Sequence, residues 1–507
     1  MSEVLRVEGL RIGFGGGAVV RDVAFTVAAG ECVAIVGESG AGKSLTARAL
    51  LGLLPPRARM TATRLEVDGT DARGLGERGW RALRGARVGL VSQDALVSLD
   101  PLRRIGAEIA EPLELHGLDA SAGRVQELLR SVWMPEPERR ARQRAFELSG
   151  GQRQRALIAS ALAAEPAVLI ADEPTTALDA TVQARILGLL GEIADAGTAL
   201  LLISHDFAAV RRIADRILVM RDGEIVEQGR VGEVLDDPQH EYTRQLIAAT
   251  RHEPRAVAAE PLTPVLVATG LSKAFGAAQA VIDAGFTVAD GRTLGIVGES
   301  GSGKTTLARM IVGVERPGAG SLHWNGEHRV QLVHQNPLGA FDPRWSIGRS
   351  LREALAAGGV ARADRPGRVA QLLAEVGLDV RLAGRRPAAL SGGQRQRAAI
   401  ARALAAEPDV LVLDEPVSAL DPTVRERVLE LLRRLRRERR LTMVFVSHDL
   451  DVVGAVADEV LVMQDGRIVE QGATAEVFAA PQHPFTVELL AAGSSASASR
   501  RGSARMQ

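Results

Sequence analysis

The chain has one cysteine, Cys32, among 507 residues. A single thiol excludes internal disulfides and any zinc or iron–sulfur centre built from cysteines of this chain. It fits a reducing compartment, with Cys32 expected to be inert in a buried strand. Aromatic residues are scarce at 3%, which leaves little material for stacking bases. Net charge is absent too: 62 Lys+Arg balance 62 Asp+Glu, so there is no basic footprint for a polyanion and no nucleic-acid partner is expected. No apolar run reaches the roughly 18 residues of a membrane helix. The opening MSEVLRVEGL lacks the basic region and apolar core of a signal peptide. A cytosolic chain with an indirect membrane role is therefore expected. Lysine is scarce among the basic residues: only Lys43, Lys273 and Lys304 are present, so each invites the question of why arginine did not serve.

What is present starts from two of those lysines. Gly37-Glu-Ser-Gly40-Ala-Gly42-Lys43-Ser44 and Gly298-Glu-Ser-Gly301-Ser-Gly303-Lys304-Thr305 both fit the G-x-x-x-x-G-K-[ST] phosphate loop. Each follows a short apolar strand (CVAIVG, TLGIVG) and opens a helix-like segment (LTARALLGLL, TLARMIVGV). Such a loop closes backbone N–H groups around phosphates, with lysine on the β/γ-phosphates and the Ser or Thr hydroxyl on Mg²⁺.

The two lysines lie 261 positions apart, and other segments recur in register. Gln93 matches Gln335, Leu148-Ser-Gly-Gly-Gln152 matches Leu390-Ser-Gly-Gly-Gln394, and Asp172-Glu173 matches Asp414-Glu415, all offset by 242. His205 and His448 are offset by 243. The chain is a tandem duplication, and the second copy is 19 residues shorter between loop and glutamine. The shortened stretch, PGAGSLHWNGEHRVQ, reads as a trimmed β-hairpin region. AVLIADEP and VLVLDEP read as buried parallel strands ending in paired carboxylates, where α/β sheets bind ligands. Length alone allows roughly two to four domains, and the repeat selects two.

The ordered set of phosphate loop, glutamine, LSGGQ, Asp-Glu, A-L-D and Ser-His-Asp resembles the ATP-binding-cassette ATPases, twice over and across essentially the whole chain. The resemblance implies an α/β fold: two tandem phosphate-loop NTPase domains, each a mixed sheet core with a helical subdomain. The expected bounds are 1–249 and 265–492, with a linker at 250–264 and a disordered tail at 493–507. The resemblance assigns phosphate binding to Gly37, Gly40, Gly42, Lys43, Ser44, Gly298, Gly301, Gly303, Lys304 and Thr305. It assigns Mg²⁺ to Ser44, Thr305, Asp172, Asp414, Gln93 and Gln335, and catalysis to Glu173, Glu415, His205 and His448. Ser149, Gly150, Gly151 and Gln152, with Ser391, Gly392, Gly393 and Gln394, form signatures that face the nucleotide held by the opposite domain. Two ATP molecules are then sandwiched in an intramolecular pseudo-dimer. Gln93 and Gln335 relay nucleotide state to a membrane partner, and Asp179 and Asp421 lie at the seam. Phe14 and Phe275 each stand 29 positions before their lysine, which suggests adenine stacking.

SLDPLRRIGAEIAEPL (98–113) and AFDPRWSIGRSLREAL (340–355) resemble the peptide and nickel importer subfamily. So do Asp237-Pro-Gln-His-Glu-Tyr-Thr243 and Ala480-Pro-Gln-His-Pro-Phe-Thr486, which depart from Pro-x-His-Pro-Tyr-Thr at Glu241 and Phe485. The resemblance implies an ATPase at the cytoplasmic face of the membrane. Its partners are two permease subunits and, through them, an extracytoplasmic binding protein. Two other readings stay open: a soluble duplicated cassette acting on ribosomes or DNA, and the ATPase of an exporter. The run RRLRRERR (433–440) reads as the solvated end of a helix. Lys273 has no assignment.

Overall fold

The computed structural model describes residues 2–93, 95–176, 178–249, 263–418 and 420–493. They divide into two compact units, one ending at Ala249 and one beginning at Thr263. Nearly all of the expected linker and tail lies outside the described residues. Two end residues differ from expectation: Pro264 opens the strand Pro264–Phe275, and Gly493 ends the helix Pro484–Gly493.

In the first unit a six-stranded sheet runs in the order Glu224–Arg230, Arg216–Arg221, Cys32–Val36, Ala199–Ile203, Val168–Asp172, Val88–Val91. All neighbours are parallel except the first pair. The three central strands are wholly buried. They read as continuous apolar runs because helices or a second sheet cover both faces. That second, antiparallel sheet is built on the hairpin Glu3–Phe14 and Gly17–Ala28, with Arg64–Val67 along its other side. A helical layer, including Ile105–Leu115 and Ala122–Ser131, packs on the helix Gly150–Leu162.

The second unit repeats this plan. Its six-stranded sheet runs Val330–Val333, Val410–Asp414, Thr442–Val446, Thr293–Gly298, Glu459–Gln464, Arg467–Ala473. Its antiparallel sheet joins Ala278–Ala289, Pro264–Phe275 and Ala319–Trp324.

Strand register locates the missing residues. Leu5 pairs with Val67 and Leu266 with Trp324, so the offset falls from 261 at the first residue of each pair to 257 at the second. The next strands open at Val88 and Val330, an offset of 242. Four residues are therefore lost before the hairpin strand and fifteen after it. The fifteen correspond to the first unit's strand Thr70–Asp71 and helix Glu77–Leu83. The hairpin of Arg64–Val67 with Thr70–Asp71 is thus trimmed as expected, keeping only its first strand as Ala319–Trp324, and a helix is lost with it. In the first unit that helix sets Trp80 against Gly52, where a Cβ would fall 2.3 Å from the indole. Just after the helix, Arg84 Nε donates to the carbonyl of Leu51 at 2.7 Å.

Two further readings change. The basic run is not simply solvated. Arg436 Nη2 pairs with buried Asp458 at 2.9 Å, and Arg439 Nη2 with Glu375 at 2.7 Å. These arginines stitch the helix Pro422–Arg439 to its own unit. Lys273 stands where the first unit has the buried Ile12, each pairing with a valine of the next strand. Its Nζ meets Glu315 at 3.1 Å and the carbonyl of Arg316 at 2.9 Å, beside the shortened segment.

Candidate ATP sites

Each phosphate loop leaves the C-terminal end of a buried central strand, Cys32–Val36 or Thr293–Gly298. The first glycine is required by close approach. A Cβ on Gly37 would fall 2.1 Å from the Met220 carbonyl oxygen, and one on Gly298 2.2 Å from that of Met463. Gly42 and Gly303 cap the following helices at φ 103° and 99°, in the left-handed region. Those helices are Lys43–Ala49 and Lys304–Val312. The first is shorter than its apolar run suggested, since the chain turns after Leu50 toward Pro55 and Pro56.

Both lysines are buried and curl back over their loops. Lys43 Nζ donates to the carbonyls of Gly37 at 2.7 Å and Glu38 at 2.9 Å. Lys304 Nζ donates to those of Gly298 at 2.9 Å and Glu299 at 2.7 Å. Beside each ammonium, Ser44 Oγ donates to Asp172 Oδ1 at 3.2 Å, and Thr305 Oγ1 to Asp414 Oδ1 at 3.1 Å. Burial pushes both aspartates above the usual carboxylate range, against the hydroxyl hydrogen bonds that favour the charged form. A buried carboxylate beside a hydroxyl is an all-oxygen donor set of the kind that suits a hard divalent cation.

The next residue turns away from the strand. Glu173 has φ +51° and Glu415 φ +47°, left-handed values that cost an L-residue on the order of 1–3 kcal/mol. Their amides still donate to the neighbouring strand, at Ile203 and Val446. The kink aims each carboxylate at the histidine ending that neighbour. His205 Nδ1 lies 3.1 Å from Glu173 Oε1, and His448 Nδ1 3.2 Å from Glu415 Oε1. Gln93 Nε2 donates to Glu173 Oε2 at 3.2 Å, and Gln335 Nε2 to Glu415 Oε2 at 2.9 Å. Burial opposes ionisation of both glutamates, but the histidine hydrogen bonds hold them below their ordinary range. The pair in turn holds His448 above its ordinary value, despite burial. Each unit therefore brings together the expected lysine, hydroxyl, aspartate, glutamate, histidine and glutamine.

The signature residues have local roles as well. Ser149 and Ser391 cap the helices Gly150–Leu162 and Gly392–Leu404, each in a reciprocal capping box with Gln152 or Gln394. Gly151 and Gly393 permit a close helix crossing: a Cβ would lie 2.5 Å from Val182 and 2.2 Å from Val424. Asp179 and Asp421 cap the helices Ala180–Asp195 and Pro422–Arg439, accepting from Val182 and Val424 amides at 2.9 and 3.0 Å. Phe14 and Phe275 end their hairpin strands outside the core, and Phe275 is half exposed.

Some contributors were not found from sequence. Thr176 Oγ1 donates to Glu173 Oε2 at 2.9 Å, whereas Ser418 Oγ donates to the backbone carbonyl of Glu415 at 3.2 Å. Glu227 and Glu470 anchor the two terminal segments. Each accepts from the amides of a Gln-His pair, at 2.7 and 3.1 Å in the first unit and 2.8 and 3.0 Å in the second. The signal available was their recurrence at offset 243 in the matched stretches EIVEQG and RIVEQG.

A phosphate loop beside a buried aspartate and a half-buried glutamate, occurring twice on mostly parallel α/β sheets, defines a duplicated nucleoside-triphosphate hydrolase. The ABC transporter family model matches residues 20–176 and 281–418, and the oligopeptide/dipeptide transporter C-terminal region matches 226–261. The chain belongs to the ABC transporter family and carries two ABC ATPase domains, so it binds and hydrolyses ATP. It is 44% identical to the peptidoglycan transport ATP-binding protein YejF of Agrobacterium fabrum, over 96% of each chain. It is 37% identical to the oligopeptide transport ATP-binding protein OppD of Mycobacterium tuberculosis, over 99% of this chain and all of that one. With the glutathione import ATP-binding protein GsiA of Shigella flexneri it shares 38% identity, over 98% of this chain and 90% of the other. The solved structure of an RNase-L inhibitor has the same fold, with a TM-score of 0.64 at 22% identity over 91% and 90% of the chains.

Proposed function

We propose that this chain is the fused ATPase subunit of a membrane importer for short peptides or peptide-like solutes. The observation that carries the reading is the terminal segment after the first ATPase domain, whose family model is that of oligopeptide and dipeptide transporters. Relatives matched over 90% or more of their own length are named for peptidoglycan, oligopeptide and glutathione transport. Among the described residues no helix is long and apolar enough to cross a membrane. The chain then works from the cytoplasmic face against two permease subunits, with a binding protein beyond them selecting the solute.

In this reading ATP lies along each phosphate loop. Lys43 and Lys304 leave their loop carbonyls for the β/γ-phosphates. Ser44 with Asp172, and Thr305 with Asp414, would hold Mg²⁺, helped by Gln93 and Gln335, and the ion when bound would supply neutralisation of developing phosphate charge. Glu173 and Glu415, kept ionised by their histidines, orient the attacking water and take its proton. His205 and His448 fix the glutamate and reach the γ-phosphate. Phe14 and Phe275 stack on adenine. Each site is completed by the other unit's signature, 37–44 with 390–394 and 298–305 with 148–152, and Asp179 and Asp421 line the seam. Closure on ATP and reopening after hydrolysis drive the permeases through alternate access.

Affinity purification from membranes tests this. The expected result is recovery with the two permeases and ATP hydrolysis stimulated by a peptide-loaded binding protein. Recovery with ribosomes or DNA, without permeases, overturns it.

A further inference from the structure

The chain's one tyrosine makes an unusual contact. Tyr242 lies at the start of the helix Glu241–Ala248 and is 5% exposed. Its hydroxyl accepts a hydrogen bond from the backbone N–H of Glu38, at 3.0 Å. Glu38 is the second residue of the first phosphate loop, and its carbonyl is held by Lys43. The Gly37–Glu38 peptide is thus gripped on its N–H by the terminal segment and on its carbonyl, that of Gly37, by the loop lysine at 2.7 Å. The Arg221 guanidinium lies 4.9 Å from the Tyr242 ring centre and braces the ring from outside.

The second unit supplies a matched control. Glu470 anchors Gln482 and His483 as Glu227 anchors Gln239 and His240. His483 Nδ1 accepts from the Phe485 amide at 3.2 Å, as His240 Nδ1 does from that of Tyr242 at 3.1 Å. Phe485 is as buried as Tyr242, at 6%. The tip differs: Phe485 has no hydroxyl to offer the amide of Glu299. Gln464 ends the strand Glu459–Gln464, where Arg221 ends Arg216–Arg221, so the bracing cation is replaced as well.

We propose that Tyr242 is a positioning residue for the first phosphate loop. Through its hydroxyl the terminal segment holds the Glu38 peptide in place, and the two ATP sites differ in nucleotide affinity although their catalytic groups match. When ATP draws Lys43 away from the Gly37 and Glu38 carbonyls, the tyrosine still holds the Gly37–Glu38 peptide. Less loop freedom is then lost on binding, which favours the first site. The proposal rests on Gly37–Ser44 and Gly298–Thr305 being the two nucleotide loops.

The test is a titration of the full chain with a fluorescent ATP analogue. Lys304→Ala isolates the first loop and Lys43→Ala the second. In the Lys304→Ala background, Tyr242→Phe should raise Kd by about threefold to tenfold, the range for one lost hydrogen bond. In the Lys43→Ala background the same substitution should leave Kd unchanged. Amide hydrogen exchange across 37–44 should quicken in Tyr242→Phe. In an otherwise unsubstituted chain, Tyr242→Phe should raise KM for ATP while kcat is retained. Unchanged affinity at the first loop overturns the proposal, as does equal weakening at both loops, which would mark a general structural role. Undiminished binding by the Lys43→Ala/Lys304→Ala double variant would instead overturn the assignment of the loops.

Discussion

The two units hold the same reacting groups in different supports. Their glutamate–histidine distances differ by 0.1 Å, at 3.1 and 3.2 Å, and both glutamates occupy the same strained backbone region. Around those groups the copies diverge. The first unit has the Trp80 helix, a threonine on its glutamate and a tyrosine on its loop. The second has lost the helix, pairs Ser418 with a backbone carbonyl, and offers phenylalanine to its loop. Behind the histidines, Gln183 bonds Asp206 in one copy, and Arg425 pairs with Asp449 at 2.8 Å in the other. The difference teaches which features the chemistry tolerates: the groups proposed to meet phosphate and water are repeated, with only Ser44 exchanged for Thr305, while what holds those groups in place varies.

The largest expected effect tests the shared part. Glu173→Gln and Glu415→Gln should each lower coupled ATP turnover by about 10²- to 10⁴-fold, the usual contribution of a positioned base. Steady-state hydrolysis checks it, and near-parental turnover in either variant breaks the equivalence of the catalytic groups. A smaller effect tests the unshared part. Trp80→Ala removes a buried indole from the first unit and should cost about 3–5 kcal/mol of that unit's stability. Denaturant unfolding would then show one transition moving and the other staying. Smaller still, Thr176→Ala should lower turnover about twofold to tenfold by freeing one bond to the Glu173 carboxylate. Ser418→Ala should do less; an equal fall in both would erase that contrast.

Much of this was legible in sequence, for physical reasons. The central strands show as apolar runs because both sheet faces are buried, as in Val168–Asp172 and Val410–Asp414. The loops show because glycine is required where a Cβ would strike the Met220 or Met463 carbonyl. Other features are written only in three dimensions. The left-handed turn at Glu173 carries no residue signal, since glutamate is not a turn former. The excised helix could be placed only by strand register, because the length difference alone does not say where residues left. The arginines of 433–440 resembled a solvated run because their partners, Asp458 and Glu375, are distant in sequence. Lys273 stayed unassigned because its carboxylate, Glu315, is distant in sequence, beyond the strands Ala278–Ala289 and Thr293–Gly298 and the helix Lys304–Val312.

The central claim is that the chain forms two working ATP sites, one on the phosphate loop of each half. Its most direct test is nucleotide stoichiometry in the Glu173→Gln/Glu415→Gln double variant, which should bind ATP without consuming it. Equilibrium dialysis should find two ATP per chain; saturation at one would contradict the account.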